Sequence, residues 1–144
     1  MMWSKHITGL VQFISAIISS HTTPQPIGEY AGTTSFLGSH FDGTVVFHDT
    51  DFMNKYFTDE TFIPELLDFS VTGDFSLDCD SETYTFRDNQ VYLTNIAQSS
   101  DCVYSALNDN GVTLESIVYN DDADKLTVSL KHGFIKVKME LDAV

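Results

Sequence analysis

With 21 acidic residues against seven lysines and arginines, this 144-residue chain carries a formal charge of −14. That balance argues against nucleic-acid binding, which needs clustered basic side chains to neutralise phosphates, and against adhesion to anionic membranes. A hydrophobic content of 42% and an aromatic content of 12% argue against disorder, and the length suits a single domain with one sizeable core.

Residues 1–20 read as a signal peptide. Lys5 lies near the start, residues 7–18 are mostly apolar, and Ser19 and Ser20 make a small-residue exit. The apolar run is shorter than the roughly 20 residues that a membrane span needs. The alternative is an amphipathic amino-terminal helix. Residues 21–27, with Pro24 and Pro26, form an extended linker, and 28–144 form one β-rich domain. A secreted, extracellular protein is expected, with no membrane insertion once the leader is cleaved.

The domain opens on two expected strands, 28–36 and 41–48, joined by a turn. Asp49, Thr50 and Asp51 are good helix-capping residues, and Phe52, Met53, Tyr56 and Phe57 recur at helical spacing, so a short helix is expected there. Next comes a meander. Leu67, Phe69, Val71, Phe75, Leu77 and Cys79 share parity and therefore a face. Gly73 interrupts them, either as part of a hairpin loop 72–74 or as a bend in one long strand. Asp80-Ser81 reads as a tight turn, with Leu77 opposite Tyr84 and Phe75 opposite Phe86. Asp88-Asn89 reads as another, with Phe86 opposite Val91 and Tyr84 opposite Leu93, since both turn residues tolerate the left-handed region.

Ser99, Ser100 and Asp101 cap a second expected helix, 102–110, and Gly111 stands at its carboxy-terminal cap. Too short to be stable alone, it must pack on the sheet. A strand at 112–119 and the acidic loop 121–124 lead into the most regular stretch of the chain, 125–141. There Leu126, Val128 and Leu130 alternate with Thr127, Ser129 and Lys131, and Ile135, Val137, Met139 and Leu141 alternate with Lys136, Lys138 and Glu140. Two such runs are half-buried strands of a hairpin. A His132-Gly133 loop would set Leu130 against Ile135, Val128 against Val137 and Leu126 against Met139. Lysines at 136 and 138 on the outer face place this last strand at a sheet edge or a barrel seam.

The fold class expected is all-β: an antiparallel up-and-down meander of about eight or nine strands, barrel-like or a curved sheet, with two short helices. The two cysteines, Cys79 and Cys102, would form a disulfide in a secreted chain; the alternative is two buried thiols.

No pattern of catalytic residues stands out, so an enzyme is not expected. His40 and His48 lie about 25 Å apart along an extended strand and cannot share a metal within it. Acidic pairs such as Asp49/Asp51 and Asp78/Asp80, and the 121–124 loop, lack the EF-hand spacing for calcium. No cofactor is implied. The 11 Phe and six Tyr residues fill a core, or line a cavity for which Phe69, Phe75, Tyr84 and Phe86 are the candidates. The function expected is a secreted binding or interaction module acting on an unknown protein or surface partner; the alternative is a carrier of a small hydrophobic ligand in an aromatic-lined cavity.

Asp101-Cys102, Ala106-Leu107, residues 111–114, Tyr119 and residues 125–131 resemble the carboxy-terminal part of small secreted proteins from protist parasites. The resemblance covers about 45 residues and contains no catalytic motif; it implies secretion and no established activity. Gly28-Glu29-Tyr30 is similar to the Gly-x-Trp that opens the first strand of lipocalins, with Tyr in place of Trp. That likeness implies a barrel carrying a small hydrophobic ligand.

Overall fold

The computed structural model describes residues 24–36, 38–49 and 65–144. The expected signal peptide and the expected helix near 52–57 lie outside the described residues. Eight antiparallel strands follow one another around a closed barrel: β1 (Gly28–Phe36), β2 (Ser39–Phe47), β3 (Leu66–Thr72), β4 (Leu77–Arg87), β5 (Gln90–Leu93), β6 (Val112–Asn120), β7 (Lys125–His132) and β8 (Ile135–Ala143). One helix among the described residues, α1 (Cys102–Asn108), sits between β5 and β6.

Alternation explains the barrel wall. Phe41, Val45 and Phe47 of β2 point inward, as do Phe69 and Val71 of β3 and Leu126, Val128 and Leu130 of β7, all of them buried. The Asp88-Asn89 turn forms as expected. Both residues are left-handed, at φ 52° and 61°, and the ladder pairs Tyr84 with Leu93 and Phe86 with Val91. The 121–124 loop likewise pairs Tyr119 with Leu126 and Ile117 with Val128.

Two registers differ from expectation. Asp80-Ser81 is not a turn, because β4 runs through it. Of the two expectations at Gly73 the hairpin holds: the chain turns between β3 and β4, where Val71 pairs with Leu77 and Phe69 with Cys79. Asp80 and Ser81 together oppose Asp68, which makes a β-bulge. Ser81 sits at φ 58°, and its N–H donates to Asp68 Oδ1 at 2.8 Å. A bulge moves the inward face from odd to even residues just as a turn would, so the apolar pattern alone does not separate them.

In the second case the β7–β8 loop is Gly133-Phe134, one residue later than expected. Leu130 meets Val137, Val128 meets Met139, and Leu126 meets Leu141. Gly133 takes φ 61° at the first loop position, as in a type II′ turn, and β-substituted His132 is spared the left-handed region. The shift of two residues on β8 preserves every face. It also sets Lys125 Nζ 3.3 Å from Asp142 Oδ1 and lets Thr127 Oγ1 donate to Glu140 Oε1 at 3.1 Å.

Closure has two thin places. β8, the last strand, lies at the seam, where Tyr30 pairs with Ala143 and Ala31 with Asp142. β5 meets β6 through the single pair Gln90–Val118. Here α1 covers the gap, packing on β4 and β6 with Val103 and Leu107 buried. Asp101 caps α1 by accepting from the Tyr104 N–H at 3.0 Å, Gly111 at φ 68° ends the connection, and a Cys79–Cys102 disulfide staples the first turn to β4.

Candidate functional site

The two ends of the barrel are built differently. At the end carrying the β2–β3, β4–β5 and β6–β7 connections, aromatic rings fill the interior. Tyr30 meets Phe47 at 5.8 Å and Tyr119 at 6.1 Å, Phe47 meets Tyr84 at 5.3 Å, and Phe86 meets Tyr119 at 6.2 Å between centroids. The Tyr30 and Tyr119 hydroxyls both donate to Asp124 Oδ1, at 2.6 and 2.9 Å. Burial, followed by the hydrogen bond to Asp124, pushes the Tyr30 hydroxyl far above the ordinary phenol range. Burial does the same to Tyr84, pushed up to about 12. The two phenols in turn hold Asp124 below the usual carboxylate range. This end is a polar-tipped aromatic plug.

At the other end a pocket of about 240 Å³ opens to solvent. Phe36, Phe41 and Phe75 wall it, and Val71, Leu130 and Met139 form its buried inner surface. Phe75 belongs to the β3–β4 loop rather than to a strand, and it folds back to stack on Phe41 at 5.1 Å. His132 stacks edge-on against Phe36 at 6.3 Å. The rim is polar: Ser39, whose hydroxyl bonds the Asp74 carboxylate, together with Asn110 and His132.

No protein-family model, curated protein or solved structure matches this chain. Any reading of function therefore rests on the side chains themselves.

Of the four aromatic residues singled out from sequence, Phe75 lines the pocket. Phe69 is fully buried in the barrel core, and Tyr84 and Phe86 belong to the plug. Phe36, Phe41 and His132 were not singled out. Phe41 carries the same parity as Val45 and Phe47, so its inward direction was readable, but its distance along the barrel axis was not.

Two further polar clusters lie in the wall. His48 Nε2 is 2.8 Å from Asp68 Oδ1. Burial opposes ionisation of Asp68, but the Ser81 N–H and the His48 ring outweigh it and hold the carboxyl below its usual range. Glu82 and Asp101 are both buried. Glu82 Oε1 has no hydrogen-bond partner among the described residues. Burial first, and the adjoining Asp101 carboxyl second, push Glu82 up to about 7. Among the described residues no three His, Cys, Asp or Glu side chains converge as metal ligands.

Proposed function

We propose that this is a secreted protein that binds a small, mostly apolar molecule in the pocket at the open end of its barrel. The observation that carries this reading is the asymmetry of the interior: an aromatic plug at one end and an apolar, solvent-connected pocket at the other. Its volume of about 240 Å³ exceeds the ~150 Å³ that admits a benzene-sized molecule. It falls short of the ~300 Å³ at which drug-sized pockets begin. The ligand class is therefore a single ring or a short branched chain, with one polar end for the Asn110, Asp74 and His132 rim. Long acyl chains are too large. A disulfide suits an oxidising compartment, and the lipocalin-like opening of β1 agrees with a carrier.

The test is calorimetric titration with a panel of monocyclic aromatic and short-chain alcohols, repeated on Val137→Trp, which fills the pocket from β8. Saturable binding that disappears in Val137→Trp supports the reading. No binding across the panel sinks it.

A second reading is an interaction module, for which the pocket is incidental. Phe134 at the β7–β8 tip is 100% exposed and Ile135 is 43% exposed, two adjoining apolar side chains that a partner could cover.

A further inference from the structure

Four of the chain's seven basic residues fall in residues 125–138, a stretch without a single Asp or Glu. Three of them, Lys131, Lys136 and Lys138, surround the β7–β8 tip on its outer face, all exposed. Lys131 and Lys136 are direct cross-strand partners, an arrangement that disfavours the hairpin through like-charge repulsion. Of the three, only Lys136 has an ion-pair partner among the described residues, Glu115 Oε2, and that is at 3.8 Å. Protection of a strand edge accounts for Lys136 and Lys138, which lie beyond the β1–β8 ladder pairs. It does not account for Lys131, because β7 is paired on both sides. Nor does it account for a fully exposed Phe134 between the two lysine-bearing arms.

We propose that this hairpin tip docks the protein on an anionic lipid surface, with Phe134 and Ile135 entering the interfacial layer and the three lysines against the headgroups. The inference rests on the reading of the tip as a contact face, and names the surface. Two neighbouring apolar side chains at a turn, flanked by cations, suit a fluid interface that closes around them. The placement favours lipid over an acidic protein. The hairpin forms one lip of the pocket through Leu130, His132 and Val137, so docking turns the mouth toward the bilayer, where apolar ligands concentrate. The charge total opposes approach, and Asp74 on the pocket rim and Glu115 beside Lys136 add acidic charge at this end; the three lysines at the tip offset them where contact is made. An eight-residue strand is about 26 Å long, and the screening length in physiological salt is about 8 Å. The acidic loop 121–124, at the opposite end, is several screening lengths away.

The measurement is tryptophan emission. With Trp3, the chain's single tryptophan, replaced by Phe in both variants, Phe134→Trp places the sole reporter at the tip and Val118→Trp places it on the far part of β6. Vesicles of phosphatidylcholine with phosphatidylserine should shift the Phe134→Trp emission to the blue and leave Val118→Trp unchanged. Each lysine near such a surface contributes about a fivefold gain in affinity. Replacing Lys131, Lys136 and Lys138 together by Gln should therefore weaken partitioning about a hundredfold, with the melting temperature intact. Equal shifts on phosphatidylcholine alone, or a shift at Val118→Trp, overturn the proposal. Capture on immobilised polyglutamate without vesicle binding also overturns it, while sparing the contact-face reading. Failure of both sinks the contact face as well. Val137→Trp should still dock, which separates this result from the fate of the pocket.

Discussion

Glu82 faces inward because the bulge at Asp80 and Ser81 advances β4 by one residue. It comes to rest against Asp101, the residue that caps α1. With its pKa pushed by burial from the ordinary 4.5 to about 7, its effect on stability has a definite sign. Below about pH 4.5 Glu82 is protonated in both folded and unfolded chains, and its contribution is fully present. As pH rises the unfolded chain releases the proton while the folded chain keeps it, so stability falls up to about pH 7 and then levels. Asp68 works in the opposite sense. Its carboxyl is held below 3.8, so its contribution is present above about pH 4 and lost in stronger acid. Urea denaturation from pH 4.5 to 7.5 should show a decline that Glu82→Gln flattens, since the amide keeps the shape and does not titrate. An unchanged decline in that variant would place the titrating group elsewhere.

At the scale of elements, the hairpin of β7 and β8 offers a direct contrast of faces. Val128 is fully buried and Ser129 is half-buried on the outer side. Val128→Asp should cost several kcal/mol, enough to unfold the domain, because an unpaired carboxylate enters the core. Ser129→Asp, one residue away and opposite Lys138, should change stability by less than about 0.5 kcal/mol. Thermal melts that shift alike would refute the face assignment. The helix gives a second test. The Cys79–Cys102 bridge spans 23 residues, and a loop of that size is worth roughly 3 kcal/mol through the entropy of the unfolded chain. Replacing both cysteines by serine should lower stability by about that amount, seen in urea melts, and expose the α1 amides to hydrogen exchange ahead of those of β7. Strand faces, the Asp88-Asn89 turn and the 121–124 loop were legible in sequence because each depends on neighbours a few residues apart. Asp80-Ser81 was misread because a bulge and a turn share the same local signature: a left-handed polar residue and a change of parity. The distinction lies in Asp68, thirteen residues before Ser81, which supplies the acceptor for its N–H.

At the scale of the whole molecule, the pocket was the least legible feature. Whether an inward Phe fills or lines the barrel depends on its height along the axis, and that height is set when β1 meets β8 across nearly the whole chain. Gly32 marks that meeting. A Cβ built there would collide with the backbone carbonyl of Glu140, which cannot swing aside as a side chain would. The sign of one substitution therefore reports closure. In an open sheet Gly32→Ala should stabilise the strand by about 0.5–1 kcal/mol, since glycine loses more conformational freedom on folding than alanine. In the closed barrel it must push β1 away from β8, break the Tyr30–Ala143 and Ala31–Asp142 pairs, and lower stability by about 1–3 kcal/mol, the usual cost of overpacking. Urea melts give the sign. Hydrogen exchange at the Val144 amide, which donates to the Glu29 carbonyl at 2.9 Å, gives the location. A stabilised Gly32→Ala with unaltered exchange at Val144 would mean that the barrel stands open in solution. The pocket, whose walls include Thr34 of β1 and Val137 of β8, would then be a cleft rather than a closed-sided cup.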